Sequence, residues 1–369
     1  DDRFHADWNL KLQQLASRRL RRISPLDRDL QSIHVISQRV IPVAMEHRNH
    51  RTIIGIDLRG ACSYAVAYGK VPNPALLEKI EDPNQVRWDD PTYSGYYYIR
   101  ATPKETSTWI GVEGPFKKPV FGIPVEPFES WIHTEELNAW REWFEVQFLY
   151  GYQAPAMDHP LNQTARTLWS QQTNGPHWKK MLSTMHTALG PAHAKGEQGP
   201  YANACWSAHW MPLAWVRGKW LATWKKIQDT YSTALLCYAN VDSMHISIDN
   251  AELEQKPWSF SKEDCGWGEW KTQWVAQKGL WLNFNKYWVY TEKGLVNYKN
   301  QGGTPWQTKR RIKNAEQQLV CSAYLWHGLT HYSTLQRKEK QLVIQKYPSL
   351  HLIRSPDYLN AALTKSIWR

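Results

Sequence analysis

Two aspartates, Asp57 and Asp242, stand where a chain can hold a hard cation. Asp242 lies within Leu235–Ile248, Leu-Leu-Cys-Tyr-Ala-Asn-Val-Asp-Ser-Met-His-Ile-Ser-Ile, in which two apolar runs flank a polar tip. The pattern predicts a strand, a tight turn around Asn240, and a second strand that alternates Met244, Ile246 and Ile248 with His245 and Ser247. A carboxylate at such a junction is placed by backbone hydrogen bonds rather than by a loose loop, which suits rigid metal ligation. Asp57 ends the β-branched run that starts at Thr52, and small residues and a helix-compatible stretch follow it. Two strand-end carboxylates far apart in sequence can meet in one sheet. For either alone, an exposed Asp in a turn is the competing reading.

The elements that must position them follow from periodicity. Trp206, Trp210, Leu213, Ala214, Leu221, Trp224 and Ile227 recur at helical spacing over Trp206–Gln228, with Arg217, Lys219, Lys225 and Lys226 at the polar positions. This helix feeds directly into the Leu235 strand. Asn174–Gly190 reads as a helical stretch after a turn, with Lys179 and Lys180 near its start. Plain surface charge accounts for either Lys as well as a binding role does. The opening residues predict a basic helix from Trp8 to about Arg22, stopped by Ser24-Pro25, and then an extended Ile33–Val43 segment. Strands are expected at Gly95–Ala101, Thr108–Val112 and Pro119–Ile123, and Thr134 with Glu135 and Glu136 reads as the cap of an amphipathic helix.

Composition narrows the function classes. Lys and Arg number 45 against 34 Asp and Glu, for a net charge of +11 over 369 residues, and the basic residues cluster at Arg18–Arg22, Lys309–Lys313 and Arg337–Lys340. Such clusters fit a polyanionic partner, because neutralising phosphates releases counterions. The 22 Trp against 8 Phe allow base stacking, although core filling accounts for most of them. The five Cys have neither a Cys-x-x-Cys pair nor a His at zinc spacing, which argues against a zinc site or disulfide framework and for a reducing compartment. No run of 18 apolar residues and no secretory signal occurs, so a soluble protein without membrane attachment is expected.

Asp57-Leu-Arg-Gly-Ala-Cys-Ser and Tyr238-Ala-Asn-Val-Asp242-Ser resemble the first and third palm motifs of the family B DNA polymerases, Asp-x-x-Ser-Leu-Tyr-Pro and Tyr-x-Asp-Thr-Asp-Ser, within them the protein-primed group of phages and linear plasmids. Trp267-Gly-Glu-Trp-Lys271 resembles the family's Leu-Gly-x-Trp-Lys segment, Asn285-Lys286-Tyr287 its Lys-x-Tyr motif, and Lys299 with Gly302-Gly-Thr-Pro305 the turn that follows. Asn240, Val241 and Cys62 depart from the motifs, Cys62 where the family has a tyrosine that screens out ribonucleotides. In the fingers motif Leu182 replaces Lys, His186 replaces Asn, and Gly190 aligns. The motifs keep the family's order over about residues 50–305.

The resemblance implies an α+β right-hand polymerase with a palm of antiparallel sheet backed by helices, and helical fingers and thumb. The divisions it implies are an N-terminal helix and linker at 1–50, palm at 51–100 and 201–275, an inserted subdomain at 101–165, fingers at 166–200 and a thumb at 276–369. It implies two Mg2+ ions, or Mn2+ in their place, held by Asp57, Asp242 and the Leu58 carbonyl. Nucleotide contacts would come from Cys62, Lys179, Lys180, His186 and Gly190, and DNA contacts from Arg217, Lys286, Tyr287, Lys299, Lys309, Arg310 and Arg311. For Tyr287 a core aromatic in a strand is the competing reading. Expected partners are primer-template DNA, deoxynucleoside triphosphates and, as the subgroup implies, a terminal protein. With no exonuclease domain ahead of the palm, the chain is either a fragment or lacks proofreading of its own. The alternative is a polymerase-derived nucleic-acid-binding scaffold with impaired catalysis.

Overall fold

The computed structural model describes residues 2–300 apart from 21, 34, 36–38, 41–44, 105–109, 114–118, 123–126, 172–177, 191–204, 284–285 and 292–293. The expected thumb beyond 300, with Lys309, Arg310 and Arg311, lies outside the described residues. Two units are present. The first comprises Asp1–Gln38, Leu58–Asp229 and Asp264–Lys271; the second comprises Arg39–Asp57, Thr230–Glu263 and the described part of Thr272–Arg369.

In chain order the elements begin with helix α1 (Asp2–Arg19) and short strands β1 (Arg39–Val40) and β2 (Met45–His47). Strand β3 (Arg51–Leu58), helix α2 (Ala61–Tyr68) and strands β4 (Lys70–Pro72), β5 (Glu78–Ile80) and β6 (Tyr93–Pro103) follow. After β7 (Ile110–Glu113), β8 (Pro119–Gly122) and β9 (Phe128–His133) come α3 (Leu137–Trp143) and the long β10 (Phe144–Asp158). Helices α4 (Asn162–Ser170), α5 (Trp178–Thr184), α6 (Trp206–His209) and α7 (Met211–Thr230) lead to β11 (Leu235–Asn240), β12 (Ser243–Asp249) and α8 (Asn250–Gln255). Strands β13 (Trp270–Ala276), β14 (Lys278–Asn283), β15 (Lys286–Thr291) and β16 (Gly294–Asn300) complete the described chain.

In the first unit, β4, β10, β6 and β9 form an antiparallel sheet, with β5 also on β10 and β7–β8 as a separate ribbon. Trp8, Leu12, Ala16 and Leu20 recur every fourth residue and are buried, so α1 packs one stripe into the unit's core. The helix ends before Ser24, whose Oγ instead caps the 3-10 turn Pro25–Ser32 by accepting from Leu26 N at 3.2 Å. The helix expected over Trp206–Gln228 is two helices, interrupted at Trp210 just before Pro212, which lacks the donor an unbroken helix would need there. The cap near Thr134 belongs to His133: its Nδ1 accepts from Glu135 N at 3.1 Å, and Glu136 Oε1 accepts from His133 N at 2.9 Å.

The second unit holds a five-stranded sheet ordered β1-β11-β12-β3-β13 and a four-stranded sheet ordered β16-β15-β14-β2. Ile53, Cys237, Tyr238, Trp274, Ala276, Trp281, Tyr287 and Val289, drawn from both sheets, make one apolar cluster. Strand β12 is therefore buried throughout Met244–Ile248 rather than on alternate residues. His245 accepts at Nδ1 from Trp281 Nε1 at 2.7 Å, and Ser247 Oγ accepts from Arg51 Nε at 2.9 Å, so both polar residues of the expected outer face are satisfied inside.

The divisions expected at 100/101, 165/166 and 275/276 each fall inside an element, β6, α4 and β13 respectively. Among the described residues no helix is long and apolar enough to cross a membrane.

Candidate active site

The register of the second unit brings Asp57, on β3, beside the turn that carries Asp242. Asp57 pairs with Ser243 across β3 and β12, and Asp242 immediately precedes Ser243. The turn is the two-residue connection Val241–Asp242, one position later than the expected centre at Asn240, because Asn240 already pairs with Ser243. Val241 takes a left-handed φ of 57°, the one non-glycine residue with positive φ among those described. A β-branched side chain there carries strain of roughly 1–3 kcal/mol, held by the pairing on both sides. Val241→Asn, which tolerates that conformation, is expected to stabilise the protein by about 1 kcal/mol in urea unfolding; an unchanged or lower midpoint would contradict the strain.

Both carboxylates are half-buried. Burial pushes the Asp242 carboxyl up, and the Lys299 ammonium works against that shift. Lys299 is exposed on β16, opposite Tyr287 of β15. Loss of this cation raises the Asp242 carboxyl further, so Lys299→Gln should move the acidic limb of a pH profile to higher pH. A limb that stays in place would separate Lys299 from the site. The same raised carboxyl binds a proton more readily folded than unfolded, so in the metal-free protein its contribution to stability is present at low pH and lost as pH rises through the raised value.

Tyr287 settles on the competing reading. It is buried, its ring lies 5.2 Å from Tyr238 and 4.8 Å from His245, and burial followed by the nearby Asp57 charge pushes its hydroxyl up to about 12. His245, stacked on Tyr238 at 4.3 Å, is held neutral by burial. This aromatic layer, whose Tyr287 lies near Asp57, is not visible in the sequence, because alternation suggests an outward His245. The usable signal was the apolar character of both flanking runs, which marks a central strand. Lys286 opens β15, pairing with Asn283 and Asn300.

The other candidates belong to the first unit. Cys62 is half-buried in the first turn of α2, and α2 packs against α4, α5 and the turn Met185–Thr187 that contains His186. Lys179 and Lys180 lie on α5. Gly190 is buried where a Cβ would run into the His209 ring, whose Nδ1 lies 3.0 Å from His186 O. The glycine is thus a packing requirement, and His209 is the residue sequence reasoning missed.

Arg217 is a correction. It does not fill a polar position on a helix face: its side chain and that of Glu136 are both 0% exposed. Its Nε donates to Glu136 Oε2 at 2.6 Å, its Nη2 to Glu136 Oε1 and to Trp131 O, both at 2.7 Å, and its guanidinium lies 5.0 Å from the Trp140 ring centroid. A guanidinium so enclosed is not available to DNA.

The residues present fit a hard divalent cation. One carboxylate on β3 and one in the adjoining turn offer oxygen donors, and a desolvated Asp242 gains from a cation beside it. No group of three or more His, Cys, Asp or Glu side chains gathers among the described residues, so carbonyl, water and substrate oxygens would complete the set.

Mixed helices and antiparallel sheets in this arrangement make a DNA-polymerase-like fold. The chain is similar to Phi29 DNA polymerase in its orthorhombic crystal form, with TM-score 0.59 and 13% identity over 82% of this chain and 61% of that one. The Phi29 ternary complex with primer-template DNA and incoming nucleotide gives 0.57 and 13% over 82% and 61%. The complex of that polymerase with single-stranded DNA gives 0.57 and 14% over 82% and 60%. The chain thus spans about three fifths of the length of these polymerases. No protein-family model and no curated protein matches the sequence.

Proposed function

We propose that the chain catalyses template-directed nucleotidyl transfer as a family B type DNA polymerase, with Asp57 and Asp242 as metal-binding aspartates. The observation that carries this reading is the pairing of Asp57 with Ser243, which puts Asp57 on the strand beside the turn that holds Asp242, in a polymerase-like fold. Asp57, Asp242 and the Leu58 carbonyl would hold two Mg2+ ions, or Mn2+. Bound there, such ions favour ionisation of a primer hydroxyl and neutralise charge on a departing pyrophosphate.

The chain's own residues then have separate tasks. Strand β3 and the two-residue turn between β11 and β12 fix the two carboxylates so that no long loop has to order before ions bind. The buried layer of Tyr238, His245 and Tyr287 gives that edge of the sheet a rigid floor. Lys299 contributes positive charge beside Asp242 and suits a phosphate of the bound strand. Cys62, Lys179, Lys180, His186 and Gly190 are proposed for the nucleotide side, Lys286, Lys309, Arg310 and Arg311 for the DNA, and a terminal protein as primer. The second unit's five-stranded sheet is proposed as the core of the palm, the 166–200 interval as fingers, and the region beyond 276 as thumb.

The test is single-nucleotide incorporation on four primer-templates that differ only in the templating base. The reading requires the complementary nucleotide to be favoured on each. Addition of one nucleotide regardless of template would sink the template-directed claim. The scaffold alternative keeps one specific observation in its favour, Asn240 in place of the family's first carboxylate in the third motif.

A further inference from the structure

A buried hydrogen bond joins the two sheets of the second unit. Trp281 Nε1, on β14, donates to His245 Nδ1, on β12, at 2.7 Å, and the two residues are 0% and 1% exposed. An indole N–H can only donate, so Nδ1 is the acceptor and the imidazole carries its proton on Nε2. Rings from three further strands enclose the imidazole: Tyr238 of β11 stacks at 4.3 Å, Trp274 of β13 meets it edge-on at 4.5 Å, and Tyr287 of β15 does so at 4.8 Å. Two glycines make room for the indoles. A Cβ on Gly55 would lie 2.2 Å from the Trp274 ring, and one on Gly279 2.3 Å from the Trp281 ring.

The strand register carries this contact to the site. Tyr238, His245 and Gly55 stand opposite one another across β11, β12 and β3, and Trp281, Tyr287 and Lys299 across β14, β15 and β16, so each set is one cross-strand row. Residues two apart on a strand share a face, which puts Ser243 and Asp57 on the face of His245 and Gly55, toward the other sheet. Burial is the main influence on Tyr287, Asp242 and His245, and the charges that act on them after it agree with that placement. Asp57 raises the Tyr287 hydroxyl, and Lys299, at the end of the second row, lowers both the Asp242 carboxyl and the His245 imidazole. Apolar contacts alone would let one sheet slide on the other, whereas a short buried hydrogen bond among them is directional and fixes one row against the other.

We propose that Trp281 and His245 are positioning residues, whose hydrogen bond sets the Trp281–Tyr287–Lys299 row against the two carboxylates and thereby holds the Lys299 ammonium on a phosphate of the bound strand. Both are enclosed and act through Lys299, which is exposed. The inference rests on the reading proposed above for the identity of that strand, but not on catalysis.

The test is the salt dependence of binding to a labelled primer-template, followed by fluorescence anisotropy without nucleotide or divalent cation, on variants whose folding is checked by urea unfolding. Lys299→Gln is expected to flatten the slope of log affinity against log salt by about 0.9, the share of one phosphate contact. Trp281→Phe, which keeps a ring but loses the donor, should flatten it similarly, and should change it no further when added to Lys299→Gln. His245→Asn, whose amide oxygen replaces the acceptor, should keep the wild-type slope, and His245→Leu should not. That contrast decides the matter if Trp281→Phe does not fold. A wild-type slope in folded Trp281→Phe, whatever its unfolding midpoint, or a slope that flattens again in the double variant, would overturn the proposal. An unchanged slope in Lys299→Gln would overturn it too, and would leave primer extension through Asp57 and Asp242 standing on its own test. The expected slopes in a protein that never extends a primer would support the inference and remove the polymerase reading.

Discussion

Arg217→Ala should lower the unfolding free energy by about 3–5 kcal/mol, the cost of leaving a buried charge without its partner. The wild-type pair is enclosed on all sides: both side chains are 0% exposed, and Glu136 also accepts from Trp140 Nε1 at 2.8 Å and from His133 N at 2.9 Å. With the guanidinium gone, Glu136 faces a cavity and the Trp131 carbonyl loses its shorter side-chain hydrogen bond, keeping the one from Ser130 Oγ at 3.4 Å. Gly218, next in α7, lies so close to Glu136 that a Cβ there would meet Glu136 Cβ at 2.7 Å, which leaves the helix little room to shift and compensate. Replacing both members, Arg217→Met with Glu136→Gln, should recover part of the loss, because no unpaired charge remains and the amide oxygen still accepts from a neighbouring donor. Chemical unfolding of the single and double variants checks this. A loss under 1 kcal/mol for Arg217→Ala would mean that water reaches the pair.

Asp57→Asn is the second large effect, a fall of at least about 10^3-fold in incorporation rate, comparable with the loss of a key electrostatic group elsewhere in catalysis. The amide keeps the shape and the strand pairing but removes the charge. It also provides a readout that needs no catalysis. The Asp57 charge helps burial to push the Tyr287 hydroxyl up to about 12, so Asp57→Asn should bring that hydroxyl down. Difference ultraviolet titration of the two proteins measures it. A Tyr287 that titrates unchanged would mean that the carboxylate is not where the sheet register puts it.

Much of the site's frame was legible because it depends on local pattern. The β-branched run before Asp57 and the two apolar runs around Asp242 became β3, β11 and β12, and the helix at Ala61–Tyr68 follows Asp57 as the small residues suggested. Other features depend on partners distant in sequence. Arg217 sits at a polar position by periodicity, and only Glu136, 81 residues away, draws it inside. His245 fits an outward alternation until Trp281 of the other sheet covers it. Gly190 matched a motif position, yet its size is set by His209. Of the two readings of the many Trp, core filling fits Trp140, Trp143 and Trp220, which are buried, while the partly exposed Trp169 and Trp267 stack on each other.

The most direct measurement is extension of a short primer-template with Mg2+ and four deoxynucleotides, by the wild-type chain and by Asp242→Asn side by side, with DNA binding followed in the same samples. Extension by the wild type that vanishes in the variant, with DNA bound equally by both, is the result the two-carboxylate site predicts. Extension by neither, with salt-sensitive DNA binding retained in both, would contradict it and leave a polymerase fold serving as a nucleic-acid scaffold.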